Sequence, residues 1–254
     1  MPAHPLADKS EIRRRLERDR TWSLYALADL DDGMFEHCAW WATGDHALGL
    51  VFRALEIRPI FIIGNAGESR ELLLAMNESA GYLNLQPHQI DAAGGVYVYR
   101  ESHRMNRMFV DGFEPRAGDA VPLGPADRRE VEALYASGDG GGIAFAPFQL
   151  ATGVFRGIRR GGELVSVAGV HVLSRQESVA GVGNIFTHPG HRGQGHVQVV
   201  ASAVVIALRQ MGIATIGLNV EHDNVAAIRA YERIGFRAKF HYFEGVAARA
   251  GAKS

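Results

Sequence analysis

Apolar residues follow two rhythms along the chain, and the switches between them mark its elements. Near the N-terminus, Ile12 and Leu16 fall at helical spacing behind Ser10, which reads as an N-cap. Three runs, at 35–42, 47–55 and 59–63, are rich in aromatic and β-branched residues and are broken at Gly44-Asp45 and Arg58. That composition predicts strands. A helix is predicted over 68–76, with Leu72, Leu73 and Met76 on one side, and further strands over 96–99 and 105–110. Trp40, Trp41, Phe52, Phe61, Tyr97 and Tyr99 read as core, because aromatic stripes in strands pack. The charges of Arg13, Arg14, Arg15, Glu17 and Arg18 read as a solvated face.

Residues 111–125 then carry Gly112, Pro115, Gly118, Pro122, Gly124 and Pro125, a turn-rich tract that predicts a domain boundary. Beyond it the pattern restarts. A short strand is predicted at 120–123, and a helix over 126–136 with Val131, Leu134 and Tyr135 as its apolar face. A glycine loop at 138–142 and a helical 145–150 follow. Three meandering strands come next, at 154–158, 164–173 and 179–187, turned at Arg160-Gly161-Gly162 and at 174–178. A long apolar helix over 194–211 ends at Gly212, and a strand occupies 215–220. A helix over 224–234 closes at Gly235, a strand runs 236–243, and an Ala/Gly-rich tail at 244–254 is expected to fray. The fold class is mixed α/β, mostly antiparallel strands flanked by helices, with domains at 1–115 and 116–254.

Totals narrow the function classes. With 254 residues, 47% hydrophobic and 22% charged, the chain can build real cores. A formal net charge of -1 gives no reason to expect nucleic acid as a partner. Cys38 is the only cysteine, so an intramolecular disulfide and a multi-thiolate zinc site are both excluded. The start, Met1-Pro2-Ala3-His4-Pro5, lacks the basic-then-apolar pattern of a signal peptide, and no apolar run reaches membrane-spanning length. A cytoplasmic protein without a membrane partner is expected.

Candidate chemistry centres on Asn184-Ile185-Phe186-Thr187-His188-Pro189-Gly190-His191-Arg192-Gly193-Gln194-Gly195-His196-Val197. A strand stops at a proline, a glycine turn follows, and a helix begins. Such a helix start offers unpaired N–H donors and a positive dipole end, which suit a phosphate. Gly193 and Gly195 carry no side chain to hold an anion away, and Arg192 adds a planar fork of donors. A dinucleotide fold would want Gly-x-Gly-x-x-Gly and an acidic residue closing the next strand. Glu221 could fill the second role, but the third glycine is missing. His188, His191 and His196 cluster at the turn without a metal-ligand spacing, so no metal is expected.

Residues 187–197 resemble the CoA signature of the GNAT superfamily of N-acetyltransferases, Arg-Gly-x-Gly-x-(Gly or Ala) after a strand and a proline. Downstream, Asn224 to Phe236 resembles that family's Asn-x-x-Ala-x-x-x-Tyr-x-x-x-Gly-Phe. One departure stands out: Val197 occupies the place of a glycine or alanine. The resemblance spans roughly 120–243. It implies acetyl-CoA as co-substrate and a primary amine, on a small molecule or a peptide, as acceptor. It implies CoA contacts from Ile185, Phe186, Thr187, Arg192, Gly193, Gln194, Gly195, His196, Val197 and Asn224. It makes Tyr231 the general acid that protonates the departing thiolate; a phenol of pKa about 10 can do so. His171 is a candidate base, but no base is assigned. The first half carries a similar strand-rich pattern without a glycine cradle, expected to be a degenerate GNAT-like or accessory domain. This layout resembles bacterial proteins similar to the glycine N-acyltransferase family, with an echo in Tyr25-Ala26-Leu27-Ala28-Asp29-Leu30. A homodimer stays open. The alternative function is a non-catalytic acyl-CoA-binding or regulatory module.

Overall fold

Two strand meanders, each followed by a helix and a strand that returns parallel, set out the architecture. The computed structural model describes residues 2–138, 142 and 144–251. The chain divides into two compact units: Met1–Arg107 with Glu221–Asp223 and Phe240–Ser254, and Met108–Val220 with Asn224–Lys239.

The first unit opens with β1 (His4–Pro5), α1 (Lys9–Leu16) and α2 (Leu24–Ala28). The cap of α1 is Asp8, whose carboxylate accepts from the amides of Ser10 and Glu11, so Ser10 is not the N-cap. Both residues can cap, but a carboxylate at that end also meets the positive helix dipole. Arg15 likewise departs from the expected solvated face: it is buried and donates to the carbonyls of Ala47 and Gly44. The meander follows as β2 (Cys38–Thr43), β3 (Ala47–Phe52) and β4 (Pro59–Ile63), with residues 35–37 in a 3-10 turn rather than in the strand. Then come α3 (Ala66–Met76) and β5 (Ala80–Leu85), which runs parallel to β4. Leu72, Leu73 and Met76 of α3 are buried with Val51, Ile60, Ile62, Leu83 and Leu85. Each such side chain contributes roughly 1.5–3 kcal/mol of burial. Gly49 makes room for Met76: an added Cβ would stand 1.9 Å from its terminal methyl and push that flexible side chain aside.

α4 (Pro87–Gly94), β6 (Tyr97–Tyr99) and β7 (His103–Val110) complete the first half. Neither β5 nor α4 is expected from the sequence. The Ala80–Leu85 run is diluted by Gly81 and Asn84, and α4 starts at a proline, which fits the first helical turn. Of the aromatics expected in the core, Trp40, Phe61 and Tyr97 are buried and Trp41, Phe52 and Tyr99 half-buried. Arg107 is buried as well. Its guanidinium donates to the Trp22 carbonyl and lies 4.4 Å from the Trp22 ring centroid and 5.0 Å from those of Tyr25 and Tyr242.

The second unit repeats the plan. After β8 (Val121–Pro122) and α5 (Arg128–Tyr135), the meander is β9 (Arg156–Arg160), β10 (Glu163–Ser174) and β11 (Val179–Thr187). Of the glycine loop predicted at 138–142, Asp139, Gly140 and Gly141 lie outside the described residues, as does Ile143 after it. Pro147–Thr152 forms 3-10 turns, where a helix over 145–150 is predicted; the proline and Gly153, at φ 76°, limit it to about two short turns. α6 (His196–Gln210) follows, then β12 (Thr215–Glu221), parallel to β11, and α7 (Val225–Glu232). Val131, Leu134 and Tyr135 of α5 and Val200, Val204 and Leu208 of α6 share one core with the strands.

The final strand, β13 (Phe236–Arg249), overturns the expected frayed tail. Phe243–Ala248 pair antiparallel with β5, and Ala247–Arg249 with β6. Ala and Gly predict poor strands by themselves, but a ladder on both sides satisfies the backbone, and Ala247 is fully buried. Ala252, Lys253 and Ser254 lie outside the described residues.

Candidate functional site

The second unit builds its site where β11 leaves its parallel neighbour. The β11–β12 ladder runs from Val179–Thr215 to Val182–Leu218, and Gly183–Thr187 continue without a partner in β12. Toward β10 the register jumps from Gly183 to Phe186 while β10 advances only from Gly169 to Val167, so Asn184 and Ile185 form a bulge. Asn184 takes φ 54°, a left-handed conformation that asparagine tolerates better than most residues.

A buried network holds that bulge. The Asn184 amide N–H donates to His171 Nε2 at 3.1 Å, its Nδ2 donates to Gln149 Oε1 and the Val170 carbonyl, and its own carbonyl accepts from the Tyr135 hydroxyl. His171 must therefore be neutral, with Nε2 an acceptor. Burial agrees, pushing its pKa down to about 4. Gly183 makes room for the ring, since a Cβ there would stand 2.4 Å from it. This binds the candidate base His171 to a positioning task, which its spacing in the sequence cannot reveal.

The strand end is fixed from the same side. Ser166 Oγ donates to the Phe186 carbonyl and shares a 2.8 Å hydrogen bond with Thr187 Oγ1. Arg192 Nε donates to the Thr187 carbonyl at 3.2 Å, and its guanidinium lies 5.8 Å from the Phe186 ring centroid. Pro189–His191 make one 3-10 turn, in which His188 Nδ1 accepts from the Gly190 amide. Gly193 and Gly195 then take φ 77° and 79°, which an L-side chain resists, and the chain swings into α6 with Gly195 as its N-cap.

No side chain caps α6, and the backbone N–H groups of Gly193, Gln194, Gly195, His196 and Val197 make no hydrogen bond with any described residue. Two of these donors, His196 and Val197, belong to the first turn of the helix, and the turn and cap before it add three more to the orphan amides that a helix start leaves. The corresponding helix of the first unit is the control. In α3, Asn65 Oδ1 accepts from the Glu68 amide while Glu68 Oε2 accepts from the Asn65 amide. A capping box thus satisfies two of its donors and a carboxylate stands at its start, with the Ala66 and Gly67 amides left open among the described residues. Val197, the departure from the glycine signature, is half-buried and packs against the core.

His196 is buried, and its Nε2 has no hydrogen-bond partner. Burial lowers its pKa, with the charges of Arg160 and His191 adding to the effect against an opposing pull from Asp119. The three histidines stand in sequence, His188–His191 at 5.6 Å and His191–His196 at 6.5 Å between centroids. Among the described residues, no group of three His, Cys, Asp or Glu is placed to hold a metal ion.

Asn224 caps α7, its Oδ1 accepting from the Ala227 amide at 3.1 Å. Tyr231 is buried beside Phe236, ring centroids 6.1 Å apart, and its hydroxyl makes no hydrogen bond with a described residue. Desolvation raises its pKa, so the phenol stays protonated. The structure thus gives each motif residue a place: a run of open amides at 193–197, a strand end at 183–187 that pairs with β10 and has no partner in β12, and a buried neutral phenol. It adds Gln149, Ser166 and Arg116, which the sequence does not single out, and Tyr135, which reads there only as part of a helix's apolar face; Arg116 lies against Gly195.

The model of the Acetyltransferase (GNAT) family matches residues 128–236, from α5 to the start of β13. That stretch, less than half of the chain, therefore matches a GNAT acetyltransferase domain. No curated protein matches the sequence. Among solved structures, a Novosphingobium aromaticivorans protein assigned to the GNAT acetyltransferases is 22% identical, with a TM-score of 0.59 over 91% of this chain and 100% of its own. A GCN5-related N-acetyltransferase from Kribbella flavida is 15% identical, with a TM-score of 0.64 over 92% and 95%. A tandem GNAT protein from the clavulanic acid biosynthesis pathway, solved without AcCoA, is 13% identical, with a TM-score of 0.59 over 99% of both chains. At these identities the likeness is one of fold.

Proposed function

We propose that the chain transfers an acetyl group from acetyl-CoA to a primary amine by direct attack. The observation that carries this is the row of five open amides at Gly193–Val197 directly after a strand that has left its parallel partner. Diphosphate oxygens accept hydrogen bonds and carry charge, so they fit a cradle made of N–H donors, a helix dipole and Arg192. Among the described residues the donor set holds no grouped metal ligands, and it suits an anion. The end of β11 at Ile185, Phe186 and Thr187 has no partner on its β12 side, and that edge suits an extended amide-bearing arm, which can add to a strand as a ladder partner.

The chemistry asked of the protein is modest. The amine nitrogen, arriving neutral, attacks the thioester carbonyl, the carbon–sulfur bond breaks, and the sulfur needs a proton. Tyr231 supplies that proton from a phenol that burial keeps un-ionised; the proton that the nitrogen sheds on becoming an amide passes to water, and the phenolate is reprotonated from water. Main-chain N–H groups of the β11 end beyond Asn184, whose own N–H is committed to His171, would polarise the carbonyl as it gains charge. His171 contributes by holding Asn184, and no side chain is assigned as base. The first unit, with the capping box of Asn65 and Glu68 at its α3 start, is a GNAT-like accessory unit without a phosphate cradle.

The alternative is a module that binds acyl-CoA without turnover, favoured by the engagement of His171 in the bulge network. Calorimetry with acetyl-CoA and an assay of free thiol release over a panel of amines separate the two. Binding with thiol release supports the transferase. Binding with silence across the panel supports the module, and no binding overturns both.

A further inference from the structure

The segment between the two halves of the sequence does more than connect them. Residues 115–120 lie across the first turns of α6. The Arg116 amide donates to the buried Ser202 Oγ at 2.9 Å. Two residues on, Gly118 sits so close to Val199 that an added Cβ would stand 2.5 Å from its Cγ1. Asp119 then pairs with Arg160 at 2.6 Å. An amide bond, a close backbone approach and an ion pair fix this strap on α6.

The strap carries one further group to the cradle. A Cβ built on Gly195 would lie 3.7 Å from Arg116 Nη2 and 3.8 Å from both Cζ and Nε. Near-equal distances to three atoms of one plane place the guanidinium face over Gly195, with its N–H edges directed away from that carbon. The guanidinium makes no hydrogen bond or ion pair with any described residue, and Asp119, the near carboxylate, is held by Arg160. A planar cation without a counter-ion among the described residues therefore lies beside five unpaired amides. The first turn of α6 also holds His196, buried, with an unpartnered Nε2.

We infer that Arg116 is a second cationic ligand of the diphosphate, delivered by the strap to the side of the cradle at Gly195, as Arg192 serves the side at Thr187. This rests on the acyl-CoA cradle proposed above. Guanidinium and diphosphate match as a fork of donors to paired acceptors, and two fixed cations compensate the two diphosphate charges. Arg192 already spends its Nε donor on the Thr187 carbonyl, which leaves it fewer donors for the diphosphate.

The test is calorimetry of the full chain with acetyl-CoA and with its 3′-dephospho form, at low and high salt, for wild type, Arg116→Gln and Arg116→Lys. Arg116→Gln is expected to bind both ligands about tenfold more weakly at low salt, the gap narrowing as salt screens the charge. Arg116→Lys, which keeps charge but loses the fork, should fall between. Thermal unfolding should be unchanged, because the guanidinium is exposed and bonds to no described residue. Wild-type affinity in Arg116→Gln overturns the inference and leaves the cradle standing. A loss seen only with the 3′-phosphorylated ligand also overturns it, moving Arg116 to that phosphate. A wild type that binds neither ligand instead refutes the cradle itself.

Discussion

Tyr231 and His171 show how burial selects a role for a residue. Desolvation raises the Tyr231 phenol, so it holds its proton at every working pH, and its hydroxyl is uncommitted among the described residues. Tyr231→Phe should lower turnover by about 10²-fold, within the usual range for a general acid, with little change in acetyl-CoA affinity. Turnover and affinity lost in equal measure would remove the acid role. His171 yields a prediction about stability. Its folded pKa, about 4, lies below the ordinary histidine value of 6.5, so below neutrality the unfolded state binds the extra proton. The stabilising bond is fully present above about pH 6.5 and weakens as pH falls towards 4. The loss amounts to roughly 3–4 kcal/mol, since each tenfold change in proton affinity is worth about 1.4 kcal/mol. Denaturant titrations over that range should show this slope in wild type and a shallower one in His171→Gln.

At the scale of elements, the two helices that follow the parallel-strand turns carry opposite solutions to one problem. Both must satisfy orphan amides at their start. α3 closes two of them with a capping box of Asn65 and Glu68, and α6 has no side-chain cap and opens behind two glycines at positive φ. Gly193 has open space around its missing Cβ, so a side chain there meets no protein atom but enters the anion's volume at a strained φ. Gly193→Val should weaken acetyl-CoA binding by well over tenfold while lowering stability by only about 1–2 kcal/mol, the cost of a non-glycine residue in that region. Calorimetry alongside thermal unfolding separates the two effects. Undiminished binding would dismiss the cradle. The glycines and the alternation of apolar residues make this element legible in the sequence, because backbone freedom and helix periodicity are local properties. The bulge at Asn184 is not, since it arises only when β10 and β11 are laid in register.

At the scale of the whole molecule, β13 ties the end of the chain to the first unit. Its outer half pairs with β5 and β6, and Glu244 accepts from the hydroxyls of Tyr82 and Tyr242. Removing 244–254 strips those ladders and exposes the β5 edge. Such a truncation should lower the unfolding temperature by more than about 10 °C or leave the chain insoluble, given about 2–4 °C per kcal/mol at this size. A truncated chain that melts with the intact one would contradict the pairing. Composition misleads here because Ala and Gly signal fraying only where no neighbouring strand is waiting.

Sequence alone determined the alternation of strands and helices, the stop at Pro189, the glycines at 193 and 195, and the spacing of Asn224 and Tyr231. All of these rest on short-range sterics and periodicity, which a linear pattern records. Only the tertiary structure decided that β11 parts from β12 after Val182 and that Asn184 is held by His171. It alone showed that Val197 packs into the core and that Arg116, nearly eighty positions before Gly195, lies over it. Those facts depend on register and on the approach of distant segments, and neither is encoded in the residues next to them.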